Sequence, residues 1–296
     1  MFHVNELAEP SAATASVTAD AAARCRVLAI ANQKGGVGKT TTAINLATAL
    51  AAVGRRVLLF DLDPQGNAST SLGIDRSRRA VSSYQVLVDG VPAGDAAVET
   101  EVPGLFIVPS SIDLSAAELE LVALERREYR LRDAFAGLSG YDYVLIDCPP
   151  ALGLITLNAM VAADAVLVPL QCEFLALEGL SQLVRTIERI KAAFNPKLGI
   201  QGIVLTMYDA RNNLSTLVAE DVRGYFGDKV YRTMIPRNVR ISEAPSHGKP
   251  VLLYDHRCAG SQAYIHLAGE ILRREEGRRE DGGSAEPTQP TDEAAP

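Results

Sequence analysis

The 296-residue sequence predicts an α/β fold, a doubly wound and mainly parallel sheet with helices on both faces. Three observations carry that prediction. Short runs that are apolar throughout, as expected of strands buried on both faces, alternate with stretches of helical periodicity. A glycine-rich turn, Lys34-Gly35-Gly36-Val37-Gly38-Lys39-Thr40-Thr41, lies between the first such strand and the first such helix. Two later apolar runs end in carboxylates, at Asp61 and Asp147, and the C-terminal ends of strands are where an open α/β sheet binds ligands.

The elements follow in order. Residues 26–31 read as the first buried strand and 40–53 as its helix, followed by a strand at 56–61. A looser region with a short segment at 84–88 leads to a short strand at 105–109 and a helix over 115–135. Next come a strand at 143–147, a helix at 154–161, a strand at 165–170 and a long helix at 175–194. A strand at 202–207, a helix at 214–226 and a strand at 229–234 complete the sheet, and helices at 240–247 and 259–275 close the domain. No internal repeat is visible.

The glycine-rich turn has the strand-to-helix context that a phosphate-binding loop requires. Glycines admit phosphate oxygens close to the backbone, and successive N–H groups with the helix N-terminus supply partial positive charge. Lys39 is placed to reach the β- and γ-phosphates and the Thr40 hydroxyl to ligate Mg²⁺. The usual G-x-x-x-x-G-K-[ST] pattern is not met, because Gln33 stands where its first glycine would fall. Instead a second lysine, Lys34, precedes Lys39 by five positions. Asp61 and Asp63, two apart at a strand end, share one face while the chain stays extended. One could hold the metal's water shell and the other orient an attacking water. Asp147 ends a further buried strand in the Walker B arrangement, which reaches Mg²⁺ directly or through water.

The segments KGGVGKTT, DLDPQGNAS, DCPP, QCEFLALEGL, LTMYDARNNL and MIPRNVRISEAPSHGKP together resemble the ParA/Soj family of chromosome-partitioning ATPases, P-loop NTPases of the deviant-Walker-A class. The resemblance spans residues 25–275. It implies that Lys34 is the signature lysine crossing to the partner subunit's nucleotide, Lys39 the P-loop lysine and Thr40 the Mg²⁺ ligand. The cofactors implied are ATP and Mg²⁺, held by Lys34, Gly35, Gly36, Val37, Gly38, Lys39, Thr40 and Thr41. Asp63 would position the hydrolytic water with Asp61 and Asp147 supporting the metal, and Pro236 and Asn238 would line the adenine pocket. Arg211 and Arg240 match arginines that bind DNA on the ATP-bound dimer. A homodimer, non-specific double-stranded DNA and a ParB-type centromere-binding partner that stimulates otherwise weak hydrolysis are the implied partners. No membrane is among them, and the implied location is the cytoplasm, at the nucleoid.

Composition agrees. About half of the residues are apolar, enough for one sizeable core, and the absence of Trp argues against base stacking as the way to hold nucleic acid. Residues 1–24 and 276–296 read as disordered tails carrying net charges of −2 and −4, so the core of the chain at 25–275 is close to neutral although the whole carries −7. The first 24 residues have neither the basic start nor the apolar core of a signal peptide, and are too short and polar for a helix-turn-helix domain. Cys25, Cys148, Cys172 and Cys258 show no metal-ligand spacing, which speaks against an iron–sulfur reductase component. A MinD-type membrane-associated cell-division regulator, the alternative, needs a C-terminal amphipathic helix with basic and apolar faces. Here Ile265, Leu267, Ile271 and Leu272 are expected to pack on the core, ahead of an acidic tail. A small-molecule ligase of biotin or cobalamin pathways would keep the loop but has no need of a DNA-facing arginine surface.

Overall fold

Strands that are apolar on both sides can be satisfied only by helices on both sides, and the chain supplies them in alternation. The computed structural model describes residues 25–282; the tail expected at 1–24, and residues 283–296 of the tail expected at 276–296, lie outside the described residues. In chain order the first half reads β1 (Arg26–Ile30), α1 (Lys39–Ala52), β2 (Val57–Asp61), α2 (Asn67–Ser71), α3 (Ser83–Leu87), β3 (Val98–Glu99), β4 (Leu105–Val108), α4 (Leu114–Glu120), α5 (Arg130–Ala134) and β5 (Tyr143–Asp147). The second half reads α6 (Leu154–Ala162), β6 (Ala165–Gln171), α7 (Ala176–Ala193), β7 (Gly199–Tyr208), α8 (Asn213–Phe226), β8 (Val230–Pro236), α9 (Val239–Glu243), α10 (Val251–Tyr254) and α11 (Ala259–Gly282).

The eight strands form one sheet in the order β3-β4-β2-β5-β1-β6-β7-β8, parallel throughout except for the short β3–β4 edge pair. The chain runs outward from β1 in both directions, so the order reverses beside β1, where such sheets open a ligand crevice. Alternate side chains serve opposite cores. Phe60, Ile146 and Val168 share one core with Leu180, Leu183 and Ile187 of α7, whereas Leu59, Leu145 and Leu167 share the other with Leu46 and Leu50 of α1 and Tyr264 and Leu267 of α11. Each such buried Leu contributes about 1.5–3 kcal/mol.

Helix α11 meets the core through Leu267, Ala268 and Ile271, fully buried, and Leu272, partly buried, whereas Ile265, expected on the core, is turned outward. It runs on to Gly282, so residues 276–282 are helical where the sequence reads as tail. None of the described helices is long and apolar enough to cross a membrane. All four cysteines are free thiols, Cys148 and Cys172 buried and Cys25 and Cys258 partly so.

The expected helix over 115–135 is not continuous. It breaks after a 3₁₀ turn at Leu121–Ala123, and Arg126 adopts a left-handed φ of 52° before the chain re-enters a helix at α5. The break is held from outside, because the buried Asn158 side chain on α6 donates to Arg127 O and accepts from Leu131 N. No glycine or proline marks it, so local periodicity runs straight through. The expected helix at 240–247 is likewise two pieces, α9 and a 3₁₀ turn at Ala244–His247 containing Pro245.

A further long-range bond, to a carboxylate, positions the site. Glu118 on α4 accepts from Leu154 N at 3.0 Å and Ile155 N at 3.2 Å, capping the α6 start at the end of the segment that follows Asp147. Glu118→Ala should therefore lower the unfolding free energy by about 1–2 kcal/mol in denaturant melts, and an unchanged midpoint would show that the cap contributes nothing.

Candidate active site

The loop between β1 and α1 is pinned at three points. Asn32 donates to Pro169 O at 2.7 Å and accepts from Lys34 N at 3.0 Å, while Thr206 on β7 donates to Val37 O at 2.8 Å. Gly36 and Gly38 hold left-handed φ values of 74° and 87°, conformations that side-chain-bearing residues adopt at a cost. Gly38 is the N-cap of α1, whose first-turn N–H groups have no intrahelical partner. The result is a rigid, anion-accepting cradle at the positive end of a helix.

Its two lysines point to different places. Lys39 is buried and donates to Lys34 O at 3.0 Å, and burial pulls its ammonium below the usual lysine range, opposed by Asp147, Cys148 and Asp63. Lys34 is half exposed and forms an ion pair with Glu173, on the turn after β6. Exposed pairs of that kind contribute at most about 1 kcal/mol, so Lys34 is readily released.

Behind the cradle, Asp61 and Asp147 end the adjacent strands β2 and β5 and lie opposite each other in register, both fully buried. Asp61 accepts from Ser69 Oγ at 2.7 Å, Ser69 N at 2.9 Å and Asp63 N at 3.2 Å. Burial still pushes its carboxyl up to about 6, against the lowering effect of those bonds. Neither oxygen of Asp147 has a hydrogen-bond partner among the described residues. Burial, then the Asp61 charge, lift it well above the carboxylate range, and the nearby Thr40 hydroxyl and Lys39 ammonium work against that rise. A buried carboxylate with free lone pairs beside a hydroxyl fits a hydrated divalent cation, with Thr40 and Asp147 as the residues that would hold it. Asp61, its oxygens engaged by Ser69 and Asp63, acts on that place through its charge.

Asp61 and Asp63 do not share an extended face. The strand ends at Asp61, and Asp63 opens a turn closed by Gly66 N to Asp63 O at 2.8 Å, with Pro64 inside it. Asp63 is consequently half-buried at the site rim, its Oδ1 accepting from Gln65 N at 3.0 Å.

Beside the cradle lies a cavity of about 390 Å³ lined by Gly38, Thr41, Thr206, Pro236, Asn238 and Tyr264 among others. Asn238 also N-caps α9, its Oδ1 accepting from Arg240 N. Arg211, on the β7–α8 loop, has a side chain that is 89% exposed and bonds Asp209 through two nitrogens at 2.9 and 2.8 Å. Arg240 pairs with Glu243 at 2.8 Å and Asp255 at 3.6 Å. The two arginines are therefore salt-bridged in the single chain and do not form a bare basic patch. Asn32, Ser69, Glu173 and Thr206 are the site residues that sequence reasoning missed; Asn32, Glu173 and Thr206 act through partners more than 130 residues away and Ser69 through Asp61 across a turn.

The protein described as chromosome partitioning protein ParA of Caulobacter vibrioides is 66% identical over 257 residues, covering 86% of this chain and 96% of that relative. This chain belongs to the ParA/Soj family. The family described as AAA domain matches residues 25–200. Sporulation initiation inhibitor protein Soj of Bacillus subtilis is 52% identical, covering 83% of this chain and 98% of that relative. Among solved structures, one titled cobyrinic acid a,c-diamide synthase of Mycobacterium smegmatis with bound ATP analog and magnesium has a TM-score of 0.76 and 42% identity, covering 86% and 98%. The septum site-determining protein MinD of Pyrococcus horikoshii, complexed with Mg-ADP, has a TM-score of 0.71 and 28% identity, covering 85% and 98%. The ParA/Soj segments quoted from the sequence thus coincide with the cradle, the strand-end carboxylates and the cavity.

Asp147 and Asp61 bind protons more tightly in the folded than in the unfolded chain, because their folded pKa values are raised. Stability without nucleotide and magnesium should fall as pH rises from the ordinary carboxylate range through those raised values. Asp147→Asn removes the buried charge and should flatten that slope, leaving the variant more stable than wild type near pH 8. Thermal melts at about pH 5 and about pH 8 read this directly; a variant less stable than wild type near pH 8 contradicts it.

Proposed function

We propose that the chain is an ATP-dependent dimeric switch that binds DNA non-specifically as its ATP-bound dimer and hydrolyses ATP to segregate chromosome or plasmid DNA. The observation that carries this is the division of labour on one loop, Lys39 buried beneath its own cradle and Lys34 exchangeable at the rim. A lysine that is not needed by its own phosphates is available for another subunit's. Support comes also from the chromosome-partitioning relatives and from neighbours whose titles record ATP analog, ADP and magnesium.

In this reading the cradle amides of residues 34–41 and Lys39 bind the phosphates, and the cavity with Pro236 and Asn238 takes the adenine. Thr40 and Asp147 would hold Mg²⁺, which would supply neutralising charge to the phosphates. Asp63, at the rim and outside the buried carboxylate pair, accepts a hydrogen bond from the attacking water and orients it. Two subunits close over their nucleotides, Lys34 exchanging Glu173 for the partner's phosphates, where charge develops during transfer. Closure brings both Arg211–Arg240 sets to one side, where phosphate oxygens replace Asp209 and Glu243 as guanidinium partners. A ParB-type centromere-binding partner stimulates hydrolysis, which releases the DNA, and the protein works at the nucleoid.

The MinD-type reading loses most of its anchor, since Leu267, Ala268 and Ile271 of α11 are buried in the core and, of the residues expected on it, Ile265 alone is exposed. The similarity to cobyrinic acid a,c-diamide synthase, at 42% identity, carries less weight than the 66% identity to a chromosome partitioning protein.

DNA binding tests the proposal. Wild type should bind duplex DNA more tightly with ATP than with ADP or no nucleotide. Arg211→Ala/Arg240→Ala should lower the slope of log affinity against log salt by about 3–4, near 0.9 for each phosphate that the two subunits no longer neutralise. An ATP-dependent component that survives the double substitution sinks the assignment. Asp63→Ala should retain ATP and DNA binding while turnover drops by about 10²-fold or more, and normal hydrolysis would remove Asp63 from the mechanism.

A further inference from the structure

Asp63 stands on a turn that neither flanking element holds in place. Strand β2 ends at Asp61 and α2 begins at Asn67, so residues 63–66 belong to neither. The bonds of Asp63 are local: its amide donates to Asp61 Oδ1, and its own oxygens accept from Gln65 N and Gly66 N. Such bonds fix the shape of the turn and leave its far end to be placed from elsewhere. That end is Gly66, which N-caps α2 at a left-handed φ of 61° and accepts from Thr70 N at 3.0 Å and Thr70 Oγ1 at 2.9 Å. Helix α2 is only five residues long, too short to hold itself.

Arg79 supplies the missing hold. It lies half-buried just after the 3₁₀ turn at Arg76–Arg78. Its Nη2 donates to Thr70 Oγ1 at 3.0 Å, Nε and Nη2 donate to Ile74 O at 3.1 and 2.7 Å, and Nη1 reaches Ser110 O at 3.5 Å. The guanidinium rests against the bare backbone of Gly66, where an added Cβ would meet Nη1 at 2.8 Å. Ser110, just past β4, donates its amide to Ser69 Oγ at 3.0 Å, and Ser69 Oγ donates to Asp61 Oδ2 at 2.7 Å. Two arms therefore meet at one guanidinium, with Asp61, Ser69 and Ser110 on one side and Asp63, Gly66 and Thr70 on the other. Burial lowers the basicity of Arg79, and the Asp61 charge is the largest influence opposing that. Nε and Nη2 are spent on neutral oxygens of the same chain, which makes this arginine a fastener and not a ligand for phosphate.

We propose that Arg79 is a positioning residue for ATP hydrolysis, fixing through Thr70 and Gly66 the turn that presents Asp63 to the attacking water. This role rests on Asp63 orienting that water, as proposed above. The hold depends on the planar fork, because Thr70 Oγ1 and Ile74 O must be served at once and a lysine ammonium offers no such fixed spread. A displacement of about 1 Å costs on the order of 10²-fold in rate, so loosening one turn is enough to be read in turnover. ATP binding is not at stake, since Asn32 and Thr206 pin the cradle separately.

The experiment is steady-state hydrolysis by the full chain over a range of ATP concentrations. Arg79→Ala should lower kcat by about ten-fold or more while KM for ATP stays within about two-fold of wild type. Arg79→Lys should recover little of that loss. Thr70→Val, which removes the hydroxyl between Arg79 and Gly66, should reproduce the loss, and Thr70→Ser should regain most of it. Arg79→Ala/Asp63→Ala should be no slower than Asp63→Ala alone, because both act on one step. Arg78→Ala, whose wild-type guanidinium bonds Glu99 O instead, should turn over normally. Melting curves, and dimerisation with a slowly hydrolysed ATP analogue, check that each variant folds and assembles. If Arg79→Ala does not fold, Thr70→Val beside Thr70→Ser decides the matter, and a normal kcat in Thr70→Val overturns the inference.

A folded Arg79→Ala with the kcat of wild type overturns it, as does full recovery in Arg79→Lys, which assigns the effect to charge alone. A loss confined to KM, a loss that follows failure to dimerise, or a double variant slower than Asp63→Ala by the full Arg79→Ala factor overturns it too. Normal hydrolysis by Asp63→Ala brings down the Asp63 reading and this role together. A slow Asp63→Ala beside a normal Arg79→Ala brings down the role of Arg79 and leaves that of Asp63 standing.

Discussion

Asp61 and Asp147 face each other in register across β2 and β5, both fully buried at the ends of neighbouring strands, and the surrounding chemistry exists to make that tolerable. Two like charges cannot be held in a dry core unless protons, donors or cations offset them. Ser69 and the Asp63 amide serve Asp61, and the Lys39 ammonium bears on Asp147. What remains unmet on Asp147 is the capacity to accept a cation beside Thr40. The strand register, set by apolar side chains in two cores, thereby creates a local excess of negative charge at the mouth of a phosphate cradle.

The lysines follow from that excess. Lys39, drawn inward among carboxylates, lies under the loop and bonds the carbonyl of Lys34. Holding that carbonyl turned inward leaves the Lys34 side chain on the rim, where Glu173 occupies it weakly. One lysine is fixed within its own chain and the other is exchangeable, and the proposed coupling of assembly to nucleotide rests on this asymmetry. The same economy recurs at Arg211 and Arg240, each held by a local carboxylate that phosphates can displace.

Most of the sheet was legible because fully buried strands announce themselves: the expected ranges at 143–147, 165–170 and 56–61 differ from the structure by at most one residue. The glycine-rich loop was legible for the same local reason, since Gly36 and Gly38 are required by backbone conformation. The rest depends on contacts that no window of sequence contains. Asn158 breaks the helix before α5 from more than thirty residues away in one bond and twenty-seven in the other. Ser69 reaches Asp61 only because the chain turns at Asp63, and Thr206 holds Val37 across 169 residues. The ion pairs of Arg211 and Arg240 are with near neighbours, yet sequence shows the acids without showing whether the arginines choose them over solvent.

The account turns on Lys34 serving another subunit and not its own. Analytical ultracentrifugation of Lys34→Ala with Mg²⁺ and a slowly hydrolysed ATP analogue, beside nucleotide affinity on the same sample, tests this most directly. The account predicts nucleotide affinity within a few-fold of wild type and a protein that remains monomeric where wild type dimerises. A variant that dimerises like wild type, or one that loses nucleotide binding altogether, contradicts it.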